Sequence, residues 1–599
     1  MTTFPRRSAL SCALLATAAL SVQASAQDKV LSPPPEKFAI APGGVDMRSG
    51  RYVYEHTDLT IGAEGGALTL TRTLAQPVWG HTNPFGNFSH NWDILLVEKR
   101  VNITENEFKH HAGRPDYQME VVFGGRTEAF RAYGSAGYGF DQTSRSGYAT
   151  LSYSGDKATS AVYTYKTGDG TVAVFRPINS GDCSIHLRCA YVSSVTHADG
   201  TRFAFTYDTA GGANSTRLRR VTSNRGYALH FDYSGAFVTR SCVFNIAQAP
   251  PPTAGSCPAG MQARAAYSYV TVTTASGAKT RLATMIDPTN ATWQFANSPG
   301  SIGFHRPGES TPWLTNTFVE RMNPDELIEE IVSSQSFADG SSYSYQWDET
   351  PFVPHVIPSI AGGSFTDQDG HTTTLEYGFP QVYRPTGGYG DVDENGGLTA
   401  IVWQVTPGPI KITDPLGRIT LNDYCDPAAM GCAVTPMPVS TTDPEGIKTV
   451  MNWDYSVRVL LATTQVAKAG ALPAIVQSAT YNCTPATIAH CTKPTQITDA
   501  KGNKTDYSWS AAHGGLLKVQ LPAVTPGVAG AAAVRPETRH EYVQRYAWIS
   551  NGAGGWTQAA TPVWLLSATS TCPNSASTGN PSSPCAIAGD EVRTVYDYG

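Results

Sequence analysis

A short turn that keeps returning limits this chain more than any other feature. Asp414-Pro415-Leu416-Gly417 is written again as Asp443-Pro444-Glu445-Gly446 and, loosened, as Asp499-Ala500-Lys501-Gly502. Counting forward from each glycine, Gly417 leads to Thr420 and Tyr424, Gly446 to Thr449, Met451 and Trp453, and Gly502 to Thr505, Tyr507 and Trp509. Shortened to Asp-Gly, the register runs from Gly200 to Phe203, Phe205 and Tyr207, from Gly340 to Tyr343, Tyr345 and Trp347, and from Gly370 to Thr373, Leu375 and Tyr377. Gly226, after Asn224-Arg225, leads to Leu229, Phe231 and Tyr233. In all seven copies the seventh residue after glycine is aromatic.

Offsets of three, five and seven share one face of a strand. β-Branched and aromatic residues at period two, launched from a turn, are a strand signal rather than a helical one. Proline at the second turn position presets φ, aspartate at the first caps the turn, and glycine permits positive φ. Asp287-Pro288-Thr289-Asn290 carries asparagine at the glycine position, the next-best residue for a left-handed backbone, and places Trp293 and Phe295 on the expected face. The unit is therefore a turn with a strand, repeated.

The spacing agrees: Asp414 to Asp443 is 29 residues, and Asp443 to Asp499 is 56, close to two periods with a loop inserted. Repeats of about 20–50 residues imply a solenoid, propeller or array, in which no unit buries its face alone. Only Pro324-Asp325-Glu326-Leu327-Ile328-Glu329-Glu330 has the composition for one or two helical turns. At 599 residues, 41% apolar, with 56 Gly and 40 Pro, the chain is a large, turn-rich, core-forming protein. Charged residues are only 15%, and a net charge of -6 without any Lys/Arg tract argues against a nucleic-acid partner.

The chain divides into four expected parts. Residues 1–26 read as a signal peptide: Arg6-Arg7 precede the apolar run Ala9 to Leu20, and Ala24-Ser25-Ala26 suits cleavage after Ala26. The paired arginines match a twin-arginine signal only in part. Residues 27–40 form a Pro-rich linker, 41–190 a β-rich N-terminal module, and 191–599 the repeat array. Gly589 to Tyr596 repeats the offset of seven, so the array is expected to end inside a repeat, with a strand edge for a partner to cover. No later stretch approaches the about 20 apolar residues of a membrane helix, so the mature chain is expected to be exported: periplasmic, cell-surface or secreted.

Ten cysteines of the mature chain fall into five close pairs: Cys183/Cys189, Cys242/Cys257, Cys425/Cys432, Cys483/Cys491 and Cys572/Cys585. Each brackets a polar loop, and C-x-x-C metal spacing is absent, so five local disulfides are expected. Loops this short stabilise by about 2–3 kcal/mol each in the chain-entropy view.

The run x-T-D-P-x-G-x-x-T-x-x-x-Y/W, with the Tyr-Asp variants Thr206-Tyr207-Asp208 and Val595-Tyr596-Asp597-Tyr598, resembles the RHS (YD-repeat) proteins. The N-terminal part is similar to the module that precedes such repeats, through Gly44-Val45-Asp46-Met47-Arg48-Ser49-Gly50, Thr57-Asp58-Leu59-Thr60-Ile61, Leu68-Thr69-Leu70-Thr71-Arg72-Thr73 and Phe88-Ser89-His90-Asn91-Trp92. The resemblance covers most of residues 41 to 599. It implies an all-β fold in which repeated β-hairpins form a curved, spiralling antiparallel sheet, here a partial shell. In that family the shell often surrounds a toxic C-terminal domain and ends in a self-cleaving D-P-x-G-L plug. Asp414-Pro415-Leu416-Gly417 continues with Arg418 in mid-array and reads as a repeat turn, so neither cargo nor self-cleavage chemistry is visible.

Catalytic motifs are missing. The chain contains no G-x-S-x-G, H-E-x-x-H, P-loop or G-x-G-x-x-G after a strand, and His540-Glu541 lacks its second histidine. His110-His111 would point to opposite faces of a strand. Asp391-Val392-Asp393-Glu394-Asn395-Gly396 matches the start of a D-x-D-x-N-G calcium loop, with Asp391, Asp393 and Asn395 as oxygen ligands. Val402 stands where a bidentate glutamate would close it. No other cofactor is implied. Asn102-Ile103-Thr104 fits a glycosylation pattern that is common by chance.

The leading expectation is a non-catalytic exported RHS-repeat scaffold or shell component, part of a toxin-delivery or cell-surface interaction system. Its partner would be remaining repeat or toxin sequence on another chain. A glycan-binding adhesin module, whose aromatics contact envelope glycans, is the alternative, and a secreted hydrolase the third.

Overall fold

The computed structural model describes residues 39–598 apart from 63–65, 75–82, 101–116, 124–125, 133–139, 143–148, 156–160, 178–187, 209–216, 251–256, 258–262, 323–327, 351–359, 384–399, 427–432, 435–436, 456, 467–472, 525–532, 576 and 581–582. One antiparallel sheet of 33 strands dominates. From Thr150–Ser154 to Val592–Val595 its strands pair in chain order, interrupted among the described residues by four short side hairpins, one of them Trp548–Ser550 with Trp556–Gln558. Among the described residues the one helical element is a 3-10 turn, Ile488–His490, and no helix is long and apolar enough to cross a membrane. The fold is all-β, as the repeats require.

The helical reading of Pro324–Glu330 is corrected where it can be seen. Ile328, Glu329 and Glu330 open the strand Ile328–Phe337, facing Met322, Arg321 and Glu320 of Leu314–Met322. Glu330 accepts from Arg281 at 2.5 Å and Glu329 from Arg51 at 3.0 Å. These acidic residues meet arginines that tertiary packing brings in, and that packing overrides local propensity.

Strand order follows from the turns. Gly200, Gly226, Gly340, Gly370, Gly417, Gly446 and Gly502 all have positive φ, between 75° and 90°, and Asn290 takes 65° in the glycine's place. Each aspartate caps its turn: Asp414 Oδ1 accepts from the amides of Leu416 and Arg418, and Asp499 Oδ1 from those of Lys501 and Asn503. Offsets three and five are buried in the early repeats, with Phe203 at 1% and Leu229 and Phe231 at 0% exposure. They face one way.

That inner face is lined by the N-terminal strands Val45–Asp46, Arg51–Tyr52, Glu55–Ile61, Leu68–Leu74 and Phe88–His90. Val45, Met47, Leu68, Leu70, Phe85 and Phe88 are fully buried in a cluster shared with the sheet's Phe203, Phe231, Leu282 and Phe304. Each such side chain contributes about 1.5–3 kcal/mol of transfer free energy. The sheet also forks at Arg188–Thr196. That strand pairs with Val172–Pro177, with Arg202–Tyr207 near its end, and with Leu95–Arg100 near its start.

Three disulfides close local loops as expected: Cys242–Cys257, Cys483–Cys491 and Cys572–Cys585. Cys189 is also disulfide-bonded. Cys183 and Cys432, and the side chain of Cys425, lie outside the described residues, as do residues 1–26, read above as a signal peptide, and nearly all of the expected linker 27–40.

Candidate functional site

The aromatic at offset seven does more than fill the core. Tyr207 donates its hydroxyl to the carbonyl of Val192 and Tyr233 to that of Leu218, at 2.9 and 3.0 Å. The indoles of Trp347, Trp453 and Trp509 donate to Val332, Pro438 and Pro494 at 2.8, 2.9 and 2.8 Å. In all five the carbonyl lies fifteen residues upstream, on the other arm of the same hairpin. The ring tip therefore staples the open end of the hairpin, opposite its turn. In four of the five a β-bulge falls directly before the ring: Thr206/Tyr207, Asp232/Tyr233, Asn452/Trp453 and Ser508/Trp509. A bulge adds twist and re-aims a side chain, so its recurrence at four of these rings curves the wall. The sequence showed the ring but neither bond nor bulge.

The curved wall returns on itself. Trp564 N donates to Asp199 O at 2.9 Å, and Asn224 Nδ2 donates to Thr561 Oγ1 at 2.9 Å. A Cβ added at Gly170 would lie 3.0 Å from Ala489 Cα, and one at Gly200 2.7 Å from Pro562 O. The early tips at Gly170 and Gly200 are thus seated against chain more than 300 residues later. Later tips are bare. At Gly340, Gly370, Gly417, Gly446 and Gly502 an added Cβ meets nothing within 4 Å.

The lining also ends part-way. Its two long strands are held to each other by a buried ion pair, where Arg72 meets Asp58 at 2.5 and 2.8 Å with both side chains wholly inaccessible. Burial alone would raise the Asp58 carboxyl, but the Arg72 guanidinium and hydrogen bonds from His56 and Arg72 hold it below the usual carboxylate range. Tyr267 of the wall donates to the same carboxylate at 2.8 Å, and the guanidinium lies 5.0 Å from the Phe88 ring centroid. Further along, Gln335 Nε2 donates to Gly43 O and Arg48 Nη1 to Ile360 O, at 3.0 and 3.2 Å. Beyond Ile412 the inner-face residues Thr420, Thr449, Met451, Thr505 and Tyr507 are only half-buried. The last strand, Val592–Val595, is exposed at all four residues and pairs only with Val563–Cys572 among the described residues.

The calcium-loop residues Asp391, Asp393 and Asn395 lie outside the described residues, as do His110, His111 and Asn102. Among the described residues one group of three metal-capable side chains comes together, Asp367, Asp369 and His371. It is a repeat turn whose carboxylate is engaged: Asp367 accepts from the amides of Asp369 and His371 and from the His371 ring.

No family model matches the chain, and no curated protein matches it. Solved structures do. The crystal structure of TcdB2-TccC3-Cdc42 is 10% identical over 89% of this chain and 26% of that one, with a TM-score of 0.28. TcdB2-TccC3 is 12% identical over 84% and 26%, TM-score 0.25, and a Photorhabdus luminescens Tc holotoxin pore 11% over 84% and 24%, TM-score 0.24. The chain spans about a quarter of the length of the solved chains it matches.

Proposed function

We propose that this protein is a non-catalytic, exported wall of the RHS type, serving in a toxin-delivery or cell-surface interaction system. The observation that carries the reading is the change along the wall. Early turn tips are seated and the early inner face is lined, whereas later tips are bare and the later inner face is half-open. A wall of this kind gains stability by stacking winding on winding, since each repeat buries its face only against neighbours. Its bare rim and its exposed strand Val592–Val595 then suit a further β-repeat winding, and the open inner face suits a cargo polypeptide. Export is supported by the reading of residues 1–26 and by local disulfides, which persist in oxidising compartments.

The test is co-expression with the neighbouring reading frames, followed by affinity purification and electron microscopy. A co-purifying repeat or toxin polypeptide that caps the rim and becomes protease-resistant is the expected result. An isolated gene, and a chain that stays alone and open, would sink the reading.

A further inference from the structure

The side hairpin Trp548–Ser550/Trp556–Gln558 projects from the wall with two large rings in the open. Trp548 is 55% and Trp556 61% exposed, against a core in which most aromatics are covered. The hairpin is rigid for physical reasons. Its tip is tied by Asn551 Oδ1, which accepts from the amides of Ala553 and Gly555 at 2.8 and 3.0 Å, with Gly552 and Gly554 at positive φ. Its base is tied to the wall by Ser550 N on Ile246 O at 2.7 Å, and by Ile549, which packs on the cluster around the Cys242–Cys257 disulfide. The Trp556 indole donates its N–H to Ala247 O at 2.9 Å, so the ring is held by its edge.

Trp548 faces Gln558 and Ser550 faces Trp556 in register, so these four side chains share one side of the ribbon. The two indoles are diagonal neighbours, about 7–8 Å apart at their backbones, with Ser550 and Gln558 completing the square. No charged residue occurs between Arg545 and Asp590. An uncharged, preorganised aromatic pair with a hydroxyl and an amide beside it complements an uncharged ligand that offers apolar faces and polar edges together. A nucleic acid, whose bases also stack, would need cations for its phosphates, and this stretch supplies none.

We infer that the Trp548/Trp556 face is a binding platform for neutral glycans, whose pyranose C–H faces stack on the indoles while their hydroxyls meet Ser550 and Gln558. The inference stands apart from the scaffold reading, because the hairpin lies outside the 33-strand sheet. Loss of one leaves the other intact.

The experiment is full-length protein on an array of neutral gluco-, galacto- and N-acetylglucosamine oligosaccharides, with affinities from tryptophan fluorescence titration. Retention on at least one neutral oligosaccharide is expected, weakened about tenfold or more in Trp548→Ala and in Trp556→Ala. Trp556→Phe, which keeps a ring but loses the N–H anchor, should fall between. Far-UV circular dichroism and thermal midpoints identical to the parent's would show that the variants fold. Retention of no neutral oligosaccharide, retention only of charged glycans or peptides, or equal affinity in the folded alanine variants overturns the inference.

Discussion

The indole of Trp453 donates its N–H to the carbonyl of Pro438 at 2.9 Å, closing the open end of a hairpin whose turn is pivoted by Gly446. Ring and carbonyl are fifteen residues apart, and the same bond recurs along the array. Trp453→Phe, which keeps the ring and loses the donor, should cost about 1 kcal/mol. Trp453→Ala should cost about 2 kcal/mol or more, through lost packing. Hydrogen exchange at Met451, whose amide bonds Val439 O in the same hairpin, reads the effect locally. Equal protection in parent and both variants would show the staple to be idle.

Two glycines with the same local role separate turn strain from docking. Gly446→Ala puts a Cβ into open space and should cost only the left-handed backbone penalty, about 1–2 kcal/mol. Gly200→Ala adds a clash with Pro562 O to that penalty and should loosen the contact between windings. Denaturant unfolding, with limited proteolysis around Pro562, distinguishes them. Equal effects would contradict the seated arrangement.

Removing one member of the buried Asp58/Arg72 pair strands a charge. Asp58→Ala should destabilise the lining by about 3–5 kcal/mol and open residues 39–94 to protease. An apolar replacement of both residues should recover much of that loss. A wild-type digestion pattern in Asp58→Ala would refute the claim that the pair holds the lining together.

Acid should weaken the fold from near pH 6.5 downward. Burial lowers His90 to about 3, and burial together with the nearby Lys493 charge lowers His513 to about 4. Each Nδ1 already accepts an amide hydrogen bond, His90 from Trp92 and His513 from Gly515. Between these values and the about 6.5 of an unfolded chain, the unfolded state binds the protons, so stability falls as pH falls. The slope approaches about 1.4 kcal/mol per pH unit for each ring. Urea midpoints from pH 7.5 to 4.5 should show the decline, reduced in His90→Asn, whose amide oxygen can keep the Trp92 bond. A flat profile would exclude it.

What the sequence made legible is what depends on one residue's own chemistry. Positive φ at Gly417 or Asn290, the aspartate cap and the shared face of Phe203, Phe205 and Tyr207 all follow from local sterics and period two. The staple and its bulge were not legible, because the acceptor is whichever carbonyl the register delivers. Nor was docking: Gly200 and Gly446 look alike in sequence, yet one meets Pro562 and the other nothing. The Trp548/Trp556 pair had a signal, an Asn-Gly-Ala-Gly-Gly turn flanked by tryptophans, but its exposure depends on where the hairpin is anchored. Glu329 and Glu330 misled for the same reason, since their arginine partners are remote.

The lining has a consequence for the order of assembly. Gly43 and Arg51 meet their wall partners Gln335 and Glu329 across 292 and 278 residues. At synthesis rates of about 5–20 residues per second, the first strands wait on the order of tens of seconds for the surface that covers them. During that interval Val45, Leu68 and Phe88 are adhesive, and a holding factor that shields them until the wall arrives would decide the yield of folded protein.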